Sequence, residues 1–460
     1  MHNRQSIALF CAVTLIPAVP AFAQFSVSSI GTSPPARIGI TVPGTIWFSN
    51  ANVTPVEVTN LALSGPDSSA FTLSFSAPAT FSPQNLAARS YEFTPTRSGR
   101  HSATLTVTCN DATTPVFTFE LVRMGYGAIN GVDAGKGYLT AGSGLYEVDL
   151  GTGNRVILNP ENTSGPNVNA FGGMTEGLSG NILMGSDFGF FDAIAVNPVT
   201  LVRTQVSRSI APNIVGTGPD FPGGVGDLRR APDNRFYFLA PVAGQTTVGV
   251  MDYATGARSV LSGTDPSNST VVGTGPTLAA STSTMAFTST NSILVISLNS
   301  VAPLTLVSID RSTGNRSAVD LTPPDLLFRS IDSLPNGNLV GAAYDNSLYV
   351  IAVPSGVATK VSGLVGEELL GEGLPFVVPS AVSVAPNGEV YVSDLGAGAF
   401  FRVDLNTGNR SVLSAWGQEV RGTGPAPAVT ANVNSYNRTY ARSLSNAVIM
   451  LDAADWRGYQ

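Results

Sequence analysis

The chain has 460 residues, of which 12% are charged, and 24 Lys and Arg against 31 Asp and Glu leave a net charge of −7. An average domain carries roughly 25% charged residues, so Ser, Thr, Asn and Gly cover this surface instead. The shortage of clustered Lys and Arg argues against nucleic acid as a partner. The length calls for at least two domains with room for a sizeable core.

The first 23 residues read as an export leader. Arg4 gives the positive start, Ile7 to Val19 an apolar run, and Ala21-Phe22-Ala23 a small-x-small cleavage pattern, so the mature chain begins at Gln24. No later window offers about 18 unbroken apolar residues, so no membrane span is expected. The expected location is the periplasm or the medium. Cleavage would remove Cys11 and His2 and leave Cys109 and His101 as the last thiol and imidazole. No intrachain disulfide and no Cys/His zinc centre can then form, and a Ser-His-Asp triad would have to use His101.

From Gln24 to Met124 the pattern is short strands of period two, with no run long enough for an amphipathic helix. Val56–Leu63, Phe71–Phe75, Ser90–Thr94, Ser102–Thr108 and Val116–Val122 alternate apolar and polar residues, separated by turn clusters such as Ser64-Gly-Pro-Asp67. This predicts a β-sandwich. The stretch from Tyr91 to Asp111, closing with Phe117 to Gly127, resembles the second half of a Hydin-type (ASH) immunoglobulin-like domain. That resemblance implies a spacer or interaction module. His101 and Cys109 stand at the two ends of one alternating strand and read as ordinary strand residues.

From residue 125 to residue 460 a repeat takes over. Val403-Asp-Leu-Asn-Thr-Gly-Asn-Arg-Ser-Val-Leu-Ser414 returns as Val148–Leu158, Met251–Ser262 and Ile309–Arg316, with degenerate copies at Ala195–Arg203 and Ile351–Val357. Each of the four clear copies is a strand, a turn built on Thr-Gly and a second strand, with Asp capping the turn and Gly taking positive φ. Upstream of each lies another strand pair joined by a Pro/Asn/Gly turn, as in Ala381–Val392 and Ser330–Val340. Four strands in a unit of about 51 residues make a propeller blade. Six turns mark six blades, and Tyr436–Ala441 with Ala447–Asp452 either begin a seventh or close the ring onto the first; seven is preferred. The two domains are expected to fold independently, with the boundary between Met124 and Gly127.

A third motif, Gly-Thr-Gly-Pro, recurs at Gly216–Pro219, Gly273–Pro276 and Gly422–Pro425. No Lys-Ser/Thr follows it and no helix opens after it, so it reads as an inter-blade linker and not a phosphate loop.

Residues that recur in every blade build blades, and polar residues that occur once near the axis are candidates for function. The repeated Asp149, Asp252, Asp310 and Asp404 therefore go to turn capping, paired with Arg155, Arg258, Arg316 and Arg410. Asp187, Asp345 and Asp394 follow the second strand and go to structure also. The unrepeated set on the innermost strands is Thr175, Glu176, Asp227, Arg229 and Asp332, proposed to bind a ligand.

The repeat region resembles the NHL, streptogramin-lyase and gluconolactonase (SMP-30-like) group of bacterial propellers, through Val384–Asp394 followed by Phe401–Asp404. The gluconolactonase likeness implies a divalent cation in the axial channel, for which Glu176 and Asp332 would supply oxygens suited to Ca²⁺. Streptogramin-lyase chemistry would want a propeller His, and this region has none. The expected protein is thus all-β, an Ig-like sandwich followed by a propeller, acting as an exported binding scaffold without a cofactor. Its partner, a protein, glycan or small molecule, is expected on the face where the inter-blade loops gather, over Glu176, Asp227 and Asp332. The alternative is a lactonase-like hydrolase dependent on Ca²⁺ or another divalent cation.

Overall fold

The computed structural model describes residues 25–28, 35–131, 133, 135–141, 144–158, 165–166, 173–185, 191–231, 233–279, 284–288, 291–297, 305–324, 326–365, 368–417, 419–427 and 448–451. The leader, Asp187 and Tyr436–Ala441 lie outside them. Among the described residues the chain is all-β apart from one 3-10 turn at Ser68–Ala70, and it forms eight small sheets. By contacts it divides into two compact units: residues up to Ala128 with Val365–Pro375, and Ile129–Leu364 with the rest. The division thus falls a few residues after the expected boundary and takes in a segment from far along the repeat.

In the N-terminal unit two sheets share one core. The first has the order Phe25–Ser28, Val42–Asn50, Asn85–Phe93, Phe71–Leu73. The second runs Ala36–Arg37, Val116–Tyr126, Gly99–Cys109, Val56–Ser64, Ala79–Phe81. Strict alternation along Gly99–Cys109 turns His101, Ala103, Leu105, Val107 and Cys109 inward, where they meet Phe25, Phe48, Phe81 and Phe93. All five strands expected here fall on observed ones.

In the second unit the described residues form six sheets, of which sheets 2 to 6 are antiparallel meanders in chain order from an inner to an outer strand. The inner strands of sheets 2 to 6 are Gly173–Glu176, Asp227–Arg230, Met285–Phe287, Phe328–Ser333 and Pro379–Val384. Sheet 1 begins at Lys136–Ala141, and its innermost place is taken by Val448–Leu451, paired in parallel. The C-terminal strand therefore joins the first sheet and does not start another. The inner strands touch in cyclic order, with Val448–Leu451 contacting those of the sixth and the second sheet. This arrangement is consistent with a β-propeller.

Two turn types place the strands. The turn from first to second strand is held by a carbonyl–amide pair, as Ala385 N–H to Glu389 O at 2.8 Å and Leu334 N–H to Asn338 O at 2.8 Å. Its left-handed position is filled by Gly180, Asn234, Asn291, Gly337 and Gly388, residue types that tolerate positive φ. The Thr-Gly turn is capped as expected: Asp252 Oδ1 accepts the N–H and the Oγ1–H of Thr255, both at 2.8 Å. Asp149, Asp310 and Asp404 cap their turns through the same Thr position.

Candidate functional site

The first strand of each sheet has one edge without a strand partner, and its N–H groups need acceptors. Side chains of the preceding sheet supply them in two rows. In one row Asp227 Oδ2 accepts Met285 N–H at 2.9 Å, Thr284 Oγ1 accepts Ile331 N–H at 3.4 Å, and Ser330 Oγ accepts Val382 N–H at 3.3 Å. In the other, two residues along, Thr175 Oγ1 accepts Arg230 N–H at 3.1 Å and Asp332 Oδ2 accepts Val384 N–H at 2.9 Å. Gly173 holds the first-row place in sheet 2, where a Cβ would lie 2.4 Å from Leu228 N. Thr175, Asp227 and Asp332 are thus fixed by strand edges, which is why they recur only in kind.

Arg229 crosses from the third sheet to the fifth. Its Nε lies 3.2 Å from Asp227 Oδ1, and its Nη1 3.6 Å from Asp332 Oδ1. The small Ala286 holds the matching position of the sheet between them. Asp227 and Arg229 are buried, and Asp332 is largely so. Asp227 Oδ1 also accepts Leu228 N–H and Asp332 Oδ1 accepts Ser333 N–H, each at 2.8 Å. The structure thus brings Asp227, Arg229 and Asp332 into one network, with every carboxylate oxygen engaged.

Glu176 is placed elsewhere. It ends its strand at the turn Gly177–Asn181 and pairs with Arg230, Oε1 to Nη1 at 3.4 Å, where both side chains are 22% exposed. Strand direction separates the three acids expected together at the linker face. Each inner strand enters from the inter-sheet linker and leaves into the short turn, so Asp227 stands at the linker end, whereas Glu176 and Asp332 stand at the turn end. Among the described residues no group of three or more His, Cys, Asp and Glu is arranged to hold a metal ion.

The expected pairing of turn Asp with repeat Arg is not what forms. Each Arg reaches back to the preceding sheet: Nη1 of Arg155, Arg258 and Arg316 donates to Oγ of Ser414, Ser207 and Ser262 at 2.6 Å, and that of Arg410 to Ser362 at 2.7 Å. Each Ser in turn donates to the turn Gly carbonyl, as Ser262 to Gly314 O at 2.6 Å. The Gly-Thr-Gly-Pro linker closes the joint. Its Thr carbonyl accepts the Arg N–H and its Pro carbonyl accepts Nε, 2.8 Å and 3.0 Å for Arg258. The reason is distance from water: the guanidinium is sunk among carbonyls, and burial lowers the pKa of Arg155, Arg258 and Arg316. The turn Asp stays outside, its pKa held below the ordinary value by the backbone N–H of Thr152, Thr255 or Thr313. Sequence reading missed the Ser, although the repeats quoted above end on Ser414 and Ser262.

Asp394 is a different case from the turn acids. It is fully buried and accepts Val377, Val378 and Ala397 N–H groups, and burial raises its pKa. His101 is buried, with Nε2 accepting Thr96 N–H at 3.3 Å and Nδ1 facing Gly99 O. Cys109 is a buried free thiol whose pKa burial raises.

Neither a family model nor a curated protein matches the sequence. Solved structures of similar fold include a structural-genomics protein of unknown function from Bacteroides thetaiotaomicron, 14% identical over 95% of this chain and 99% of that one, TM-score 0.43. TolB from Acinetobacter baumannii is 11% identical over 71% of this chain and 78% of its own, TM-score 0.41. Virginiamycin B lyase from Staphylococcus aureus, solved with quinupristin, is 10% identical over 71% and 97%, TM-score 0.39. At these scores and identities no activity or ligand carries across.

Proposed function

We propose that the protein is an exported binding scaffold: an Ig-like β-sandwich of the Hydin (ASH) kind before a six-bladed β-propeller of the NHL, streptogramin-lyase and gluconolactonase group. The six sheets and the cyclic contacts of their inner strands support six blades. The observation that favours a scaffold over a metal hydrolase is the state of the axial carboxylates. Asp227 and Asp332 hold strand-edge N–H groups and Arg229, and Glu176 stands apart with Arg230. Freeing such oxygens for a cation would strand buried N–H groups, each at about 1–3 kcal/mol. The partner, a protein, glycan or small molecule, docks on the face of the inter-blade linkers, where Asp227 is the nearest of the five candidates.

The test is ligand-linked stability. Melting of the purified protein is expected to ignore Ca²⁺, Mg²⁺, Mn²⁺, Zn²⁺ and chelator. A saturable rise with any of these ions, abolished by Glu176→Ala with Asp332→Ala, would overturn the scaffold reading in favour of the hydrolase.

A further inference from the structure

The chain has Asn-Gly pairs at Asn130-Gly131, Asn336-Gly337 and Asn387-Gly388. The pair is chemically special, because Gly has no side chain to keep its nitrogen from the Asn carboxamide. We propose that Asn336 is a site of spontaneous isoaspartate formation in the folded protein, modified ahead of Asn387, with Asn130 protected.

In the reaction the Gly337 amide gives its proton to hydroxide and its nitrogen bonds to Asn336 Cγ. The Cγ–Nδ2 bond then breaks, and ammonia leaves with a proton from water. Water opens the resulting cyclic imide at either carbonyl, giving aspartate or isoaspartate. No oxidant or cofactor enters.

The structure sorts the three sites. Asn336 and Asn387 are exposed at equivalent turns, and in both the side-chain Oδ1 accepts the N–H two residues on, at 3.1 Å. That bond holds the carboxamide against the following peptide. Each Gly nitrogen is tied only within its own turn, Gly337 to Leu334 O at 3.0 Å and Gly388 to Ala385 O at 2.8 Å, so a local opening frees it. Gly131 differs. It is buried, its N–H is bonded across to Val412 O at 2.9 Å, and a Cβ there would lie 2.8 Å from Ser411 Cβ. Asn387 differs from Asn336 by its neighbour. Glu389 Oε2 accepts Asn387 Nδ2 at 2.8 Å, and this carboxylate opposes loss of the Gly388 proton.

The experiment incubates the full chain, folded and in denaturant, in mildly alkaline buffer and maps aspartate and isoaspartate by peptide mass analysis. Denatured chain should modify all three sites at similar rates. Folded chain should modify Asn336 severalfold faster than Asn387 and leave Asn130 intact. Glu389→Gln should bring Asn387 up to the Asn336 rate, and Gly337→Ala should slow Asn336 alone. Asn130 reacting as fast as Asn336, Asn336 as protected as Asn130, or no response of Asn387 to Glu389→Gln would overturn the proposal.

Discussion

A single hydroxyl or glycine carries a definite share of this fold. Ser262 Oγ is buried between the Arg316 guanidinium and the Gly314 carbonyl. Ser262→Ala therefore takes one acceptor from the half-buried Arg316 guanidinium and the donor from the Gly314 carbonyl, and equilibrium urea unfolding should show a loss of about 1–3 kcal/mol. Gly314 is required twice over, for φ +73° and because a Cβ would sit 2.0 Å from Leu261 O. Gly314→Ala should cost at least about 2 kcal/mol, above the strain of positive φ alone; an effect near zero would mean the turn is not left-handed. The turn acids set a pH dependence. Asp149, Asp252, Asp310 and Asp404 are held below the ordinary 3.8, in each case first by a turn N–H: that of Thr152, Thr255 or Thr313, and of Asn406 for Asp404. A depressed folded pKa stabilises above the unfolded value and loses that contribution as pH falls through the folded one. Melting temperature should accordingly drop as pH falls below about 4, and Asp252→Asn should flatten that part of the profile.

At the scale of strands and joints, two acids expected to share one role separate sharply. Asp332→Ala breaks a largely buried pair with Arg229 and frees two backbone N–H groups, so a loss of about 3–5 kcal/mol is expected. Glu176→Ala removes a part-exposed pair worth about 0–1 kcal/mol. Equal effects in chemical denaturation would contradict the edge-holding role given to Asp332. Local features were legible in the sequence because their causes are local: strand alternation, the Asp-capped Thr-Gly turn and the linker all rest on neighbours within a few residues. The use made of Arg155, Arg258, Arg316 and Arg410 was not, because each partner Ser lies in another repeat. Variation hid other copies of the joint. Ala358 stands where the others have Arg, and there Leu321, Val319 and Val353 pack the joint with apolar contact. Gly371 and Gly373, at φ +79° and +101°, repeat the linker backbone of Gly216 and Gly218, at +77° and +104°, with Glu372 in the Thr place.

For the whole molecule, that fourth linker changes what a domain boundary means. Val365–Pro375 belongs by its contacts to the N-terminal unit. Ser98 Oγ donates to Glu372 Oε2 and accepts the Gly127 N–H at 3.2 Å, and a Cβ on Gly99 would lie 2.8 Å from Glu368 Oε2. A fragment from Gly127 to Gln460 keeps the repeat sheets intact, so it should still unfold cooperatively as a β-protein. Its Val365–Pro375 segment, however, loses Ser98 and the Gly99 turn, and an exposed backbone without such ties is cut readily. A protease specific for Glu should cleave the fragment at Glu368 or Glu372 much faster than the full chain. Ser98→Ala in the full chain should fall between the two. Equal cleavage of fragment and full chain would show that the N-terminal unit does not hold this segment, and would return the boundary to a single cut near Gly127.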